Sequence, residues 1–132
     1  MATPDRFPGG FRLTDGDALD VALSNPIWQT NYGITAVGTA LGSTTPILVL
    51  GSNVVTVSTA SNYGVVLPSA VAGSLVYFYN ADSADAVTVF GSGSDTINGT
   101  AGATGVSYAA AKRVLFIAVT DGVWIANVLA AS

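Results

Sequence analysis

Two groups of carboxylates could in principle do chemistry. Asp82 and Asp85 lie three residues apart, and Asp15-Gly16-Asp17 is followed by Asp20. A pair of carboxylates across a cleft can cleave a glycosidic bond, one as acid and one as base or nucleophile. Asp82 and Asp85, however, share the segment Asn80 to Asp85, whose residue types bond their own backbone in turns. They read as solvated turn formers. The Asp15–Asp20 group resembles the start of a calcium loop but lacks the later acidic ligand at the required spacing, so it reads as a surface turn or helix N-cap. The chain contains no His, Cys or Glu. General acid–base catalysis therefore loses three of its usual six side chains. A serine triad lacks its base, and a zinc site lacks its ligands. No glycine pattern sits at a strand-to-helix junction to cradle phosphate. The expectation is a protein that is not an enzyme and takes no metal and no cofactor.

Aromatic side chains are the other reactive-looking set, because they can stack on sugars or anchor interfaces. Tyr77 and Tyr79 fall on one face of a strand and Phe78 on the other, which argues that neither face is bare to water. Tyr63, Tyr77, Tyr79 and Tyr108 are the candidates for an oligomer interface. Trp124, in the last apolar run, reads as core.

These residues have to be positioned by β-structure. From Gly33 onward Val, Ile, Thr, Tyr and Phe recur between short clusters of Gly, Ser, Asn and Asp. The pattern predicts strands over 34–41, 45–50, 54–59, 64–67, 74–80, 86–90, 95–97, 105–108, 113–120 and 123–128. Asp121-Gly122 between two apolar runs is the strongest hairpin signal. Pro68 to Ala72 has room for one helical turn. Runs such as Leu75–Tyr79 and Val114–Val119 are continuously apolar, as in strands covered on both faces. A domain this small can cover few strands twice, so the surplus points to a partner chain. The expected fold is all-β: an antiparallel β-sandwich or a jelly-roll-like small barrel, with no strict internal repeat.

Residues 1–32 differ from the rest. They carry half of the charges, three of the five prolines, and interspersed apolar residues. Proline biases its predecessor toward extended conformations. The segment reads as an extended N-terminal arm with apolar anchors, and 33–132 as the β domain; Asp17–Leu23 has the pattern of a short helical turn.

Charge sets the widest constraint. Soluble proteins carry it on roughly a quarter of their residues, and here the figure is 9%. The 61 positions from Val21 to Ala81 carry none at all. Repeated Gly, Ser, Thr, Asn and Pro break that span, so it offers no membrane helix of about 20 apolar residues. Aromatic girdles of a membrane barrel are missing too, and the N-terminus does not read as a secretory signal. With only Arg6, Arg12, Lys112 and Arg113 as cations, no phosphate-tracking surface is available. Neither membrane nor nucleic acid is expected as a partner. Burial by protein remains.

One resemblance bears on which protein. Val65-Val66-Leu67-Pro68-Ser69-Ala70-Val71-Ala72-Gly73 leads to a strand ending in Asn80, then Ala86-Val87-Thr88-Val89-Phe90 and Asp95-Thr96-Ile97-Asn98-Gly99. A strand over 114–119 follows, and then Asp121-Gly122-Val123-Trp124. This order resembles a β module of tailed-bacteriophage virion proteins: decoration (cement) proteins, head fibres and tail-associated proteins. It covers nearly half the chain. With the arm-plus-domain layout it is most similar to a capsid decoration protein. The resemblance implies a homo-oligomer, a trimer, seated on the major capsid protein at the outer capsid surface of the virion. It implies that the protein bridges and stabilises capsid subunits and catalyses nothing. Arg6, Phe7, Phe11, Arg12, Leu13, Ile27 and Trp28 are the expected capsid contacts. The alternative is a tail- or fibre-associated module that binds host-surface glycans through exposed Tyr and Trp. Deleting residues 1–32 is expected to abolish capsid binding and leave the β domain folded, as read by capsid co-sedimentation and thermal unfolding.

Overall fold

The computed structural model describes residues 28–42 and 45–130. All regular structure among them is β, in a seven-stranded and a three-stranded sheet. The larger, sheet A, contains β1 (Gln29–Ala36), β2 (Gly51–Ser58), β4 (Leu75–Asn80), β6 (Thr96–Ile97), β7 (Thr100–Ala101), β9 (Arg113–Thr120) and β10 (Val123–Val128). Among the described residues its order is β1-β2-β4-β9-β10-β6-β7. Sheet B contains β3 (Tyr63–Val66), β5 (Val87–Phe90) and β8 (Val106–Tyr108).

The first half of the chain winds in solenoid-like coils. It alternates between the sheets, β2 in A, β3 in B, β4 in A and β5 in B, and each strand lies parallel to its counterpart one coil earlier. Gln29 pairs with Gly51 and Gly51 with Val76, steps of 22 and 25 residues. In sheet B, Tyr63 pairs with Val87, a step of 24. Residues 46–48 belong to the same winding, since Leu48 N–H donates to Val66 O and Val66 N–H to Pro46 O. The second half closes the coils. β8 runs antiparallel to β5. The β9–β10 hairpin adds antiparallel to β4 in sheet A, turning at Asp121-Gly122 as the sequence predicts.

The all-β class agrees with the sequence reading, and the antiparallel arrangement does not. Parallel pairing needs a crossover between neighbours, and here the crossover is a strand of the opposite sheet. The internal period escapes the sequence because it is carried by strand placement while the residue types change from coil to coil. Residues 45–50 form a single bridge at Ile47 instead of a strand. The segment 68–72 contains no helical turn. β1 spans Gln29–Ala36, so β-structure includes residues 29–32 of the segment read as the arm.

The core lies between the sheets. Val55, Val76, Phe78, Val114, Phe116 and Trp124 of sheet A meet Val65, Val87, Val89 and Tyr108 of sheet B. Fully burying each large apolar side chain contributes about 1.5–3 kcal/mol. Phe78, Tyr108 and Phe116 form an aromatic triad with centroids 5.9–6.4 Å apart, in the tilted and edge-on geometries that aromatic quadrupoles favour. Among the described residues the Trp124 indole N–H finds no acceptor, which sets about 1–3 kcal/mol against the gain from burying the ring.

The closest backbone approach is at Gly51, with φ of +128°. A Cβ there would overlap the Gln29 carbonyl oxygen and nitrogen. Gly73 also has positive φ, +89°, but an added Cβ would meet nothing within 4 Å. Gly51→Ala is therefore expected to destabilise by about 2–4 kcal/mol, combining strain and overlap. Gly73→Ala should cost only about 1–2 kcal/mol from strain. Urea unfolding of the two variants measures the difference; equal losses would contradict the close stacking of β1 on β2.

Candidate functional site

Each described aspartate is held as an acceptor at a corner of the coils. Asp82 follows β4 and takes three backbone N–H groups: Ser58 at 2.9 Å on Oδ2, and Ala84 and Asp85 at 2.9 and 2.8 Å on Oδ1. These donors, led by Asp85, hold its carboxyl below the ordinary aspartate range. Asp85 accepts from the Ser61 hydroxyl at 2.8 Å. Asp95 Oδ2 takes the Ala70 N–H and Asp121 Oδ1 the Ala72 N–H, so both brace the corner before β4. Asp82 thus fastens backbone, the turn role read from the sequence, and Asp85 ties the same corner to the Ser61 side chain. No group of three or more His, Cys, Asp or Glu positioned to hold a metal occurs among the described residues. The group Asp15, Asp17 and Asp20 lies outside them.

Two buried asparagines perform the same task inside. Asn53 Nδ2 donates to Val49 O at 2.9 Å, Gly51 O at 3.3 Å and Tyr77 O at 3.2 Å, while its Oδ1 accepts Val49 N–H at 2.8 Å. Asn80 donates to Asp85 O and Tyr108 O and accepts Asp82 N–H. Asn98 pins β10 through both backbone groups of Ala126.

What remains for function is the outer face of sheet A. Pairing register places Tyr32, Val54, Tyr79 and Arg113 side by side on it across four strands. The next row is Thr30, Ser52, Tyr77, Leu115 and Asn127, and beyond it run Leu75, Ile117 and Ile125. Tyr32 is 75% exposed, Val119 57% and Leu75 40%. Tyr77, Tyr79, Leu115, Ile117 and Ile125 are half-buried. The one charge on these rows is Arg113, whose guanidinium sits 4.6 Å from the centre of the Tyr79 ring, a cation–π contact. At the edge where β1, β2 and β4 begin, Trp28, Leu50, Ala72, Gly73, Ser74 and Leu75 line an open cleft of about 310 Å³. Trp28 is 48% exposed there.

Among the aromatic candidates, Tyr77 and Tyr79 lie on this outer face. Tyr63 is half-buried and packs against the core. Tyr108 is corrected to a core residue: it is 6% exposed, and burial pushes its hydroxyl up to about 12. Its place in the aromatic triad removes it from any surface. Arg6, Phe7, Phe11, Arg12, Leu13 and Ile27 lie outside the described residues. Sequence reading missed Leu75, Leu115, Ile117 and Ile125 as surface residues. The signal was present in the continuous apolar runs, whose alternate members face outward.

No protein-family profile, characterised protein or solved structure matches the chain. No helix among the described residues is long and apolar enough to cross a membrane.

The Asp82 geometry predicts a pH dependence. Its folded pKa lies below the unfolded value of about 3.9. Its contribution is therefore present above the unfolded value and is lost as pH falls through the folded one. Wild-type melting temperature should drop on acidification more than that of Asp82→Asn, which starts lower at neutral pH. Parallel acid melting curves for the two proteins would rule out this role.

Proposed function

We propose that this chain is a non-enzymatic structural protein of a bacteriophage virion, which decorates the capsid and stabilises it by bridging subunits. The observation that carries the proposal is the outer face of sheet A: large apolar and aromatic side chains half-exposed on a face whose single cation is occupied by a tyrosine ring. Interface cores are depleted of charge and enriched in aromatics, and an extended uncharged sheet surface invites association unless a partner covers it. The four described aspartates are already engaged as turn acceptors, and general-base chemistry has no histidine to draw on. The virion-like order of Val65 to Trp124 supplies the class of partner. In this reading the protein is a homotrimer bound to the major capsid protein on the outer surface of the shell. Two facing sheets give it the rigid body that a sandwich or jelly roll provides in such a role. Arg6, Phe7, Phe11, Arg12, Leu13, Ile27 and Trp28 grip the capsid. A standard contact of about 1,600 Å² total is sufficient for one bridge, and shell symmetry multiplies it.

A second reading rests on Trp28. An exposed indole in a cleft beside the Ser74 hydroxyl has the composition of a sugar-stacking site, as in a fibre-associated module that contacts host glycans. A glycan array distinguishes the two readings: a hit lost in Trp28→Ala supports the second, and a null array supports decoration.

Because β1 starts at Gln29, the informative deletion ends at residue 27, not 32. Removing residues 1–27 is expected to abolish co-sedimentation with capsids while a cooperative thermal transition remains. Full-affinity decoration by the truncated chain would overturn the gripping role of the arm.

A further inference from the structure

We propose that copies of this chain associate with one another through the outer face of sheet A, centred on Tyr77, Leu115 and Ile117. The inference rests on the oligomer in the functional reading and assigns it a surface. Three observations select a second copy over other occupants. First, an anionic lipid surface or a nucleic acid requires a basic stripe. The described cations are Lys112 and Arg113, adjacent in sequence, and Arg113 is stacked on Tyr79. Second, the face carries no carboxylate. Asp82, Asp85, Asp95 and Asp121 all sit at corners with backbone or hydroxyl donors upon them. A copy meeting this face brings no carboxylate to desolvate, and the face's one cation, Arg113 at the start of β9, is already stacked on the Tyr79 ring, so the surface is complementary to itself. Third, the extent suffices. Five strands at about 4.8 Å spacing, with about six residues at 3.3 Å each, make a face of about 24 by 20 Å in projection. Side chains standing off that plane bring its accessible area toward the roughly 800 Å² that each partner contributes to a standard interface. The Trp28–Leu75 cleft continues the same surface at its edge through Leu75.

Packing sheet on sheet across copies would leave about 10 Å between backbones and interleave Tyr77, Leu115 and Ile117 with their symmetry mates. It would also explain why Leu75–Tyr79 and Val114–Val119 are apolar at every position: one set of alternate residues fills the core of the chain, and the other the contact between chains.

The test uses the full chain. Light scattering should give wild type a multiple of the monomer mass. Ile117→Lys, which places a charge at the centre of the face, should reduce it to monomer. Ala109→Lys, at an exposed position beyond β8 in the opposite sheet, should leave the multimer intact. A monomeric wild type, or an Ile117→Lys protein of unchanged mass, overturns the proposal. Should Ile117→Lys not fold, cross-linking decides. The chain has no cysteine, so Tyr77→Cys carries a single thiol. A short bis-maleimide should join copies of Tyr77→Cys and not of Ala109→Cys, and failure to join Tyr77→Cys overturns the assignment. Capsid co-sedimentation separates this inference from the functional reading. A multimer that dissociates on Ile117→Lys and never binds capsids defeats decoration and leaves the face assigned.

Discussion

The fold depends on satisfying backbone groups at the corners of stacked coils with almost no charge. Parallel coils leave N–H and C=O groups where the chain passes from one sheet to the other, and each one buried without a partner costs about 1–3 kcal/mol. Asn53 and Asn80, both fully buried, meet this need with side-chain amides that donate and accept together. Asn53 joins its own corner to Tyr77 on the next coil. Asn80 joins β4 to Tyr108 in the other sheet. Where the corner is open to water an aspartate takes over, as Asp82 does for Ser58. An amide is suited to the interior because it carries no charge to desolvate.

This division of labour explains the composition. The described aspartates are committed to corners, Asn53 and Asn80 to buried backbone groups, and among the described strands the one charge is Arg113 at the start of β9. An isolated soluble sheet would carry Lys, Glu or Thr on its solvent side. Beside Thr30, Ser52, Asn127 and Arg113, the outer face of sheet A carries Tyr32, Val54, Tyr77, Leu115 and Ile117. The same strands therefore present two apolar faces, one closed by sheet B and one turned outward. The function proposed from this surface is contact with other protein.

Much of the strand content was legible in the sequence. β9, β10 and the Asp121-Gly122 hairpin follow from two apolar runs around a turn dipeptide, and β2 to β5 were placed to within a few residues. The coil was not legible. Its period depends on which strands pair, and Gly51, the residue that permits the tightest stacking, looks like any turn glycine until Gln29 lies against it. The Asn80–Asp85 turn was read correctly because Asp and Asn bond local backbone by their own chemistry. Tyr108 was misplaced as a surface aromatic because a tyrosine in a short strand gives no sign of which side it faces. Here it completes the triad with Phe78 and Phe116. The outer face was half legible: Tyr77 and Tyr79 were identified, and their neighbours Leu115 and Ile117 were hidden in a run that read simply as buried.

The central proposal is that the charge-poor outer face of sheet A is closed by protein. Hydroxyl-radical footprinting of the tyrosines over a concentration series tests it most directly, since the rings report their own exposure in the unaltered chain. The account predicts that Tyr77 and Tyr79 lose reactivity as concentration rises, while Tyr63 keeps its reactivity and Tyr108 stays protected throughout. Reactivity of Tyr77 and Tyr79 that is high and independent of concentration would contradict it.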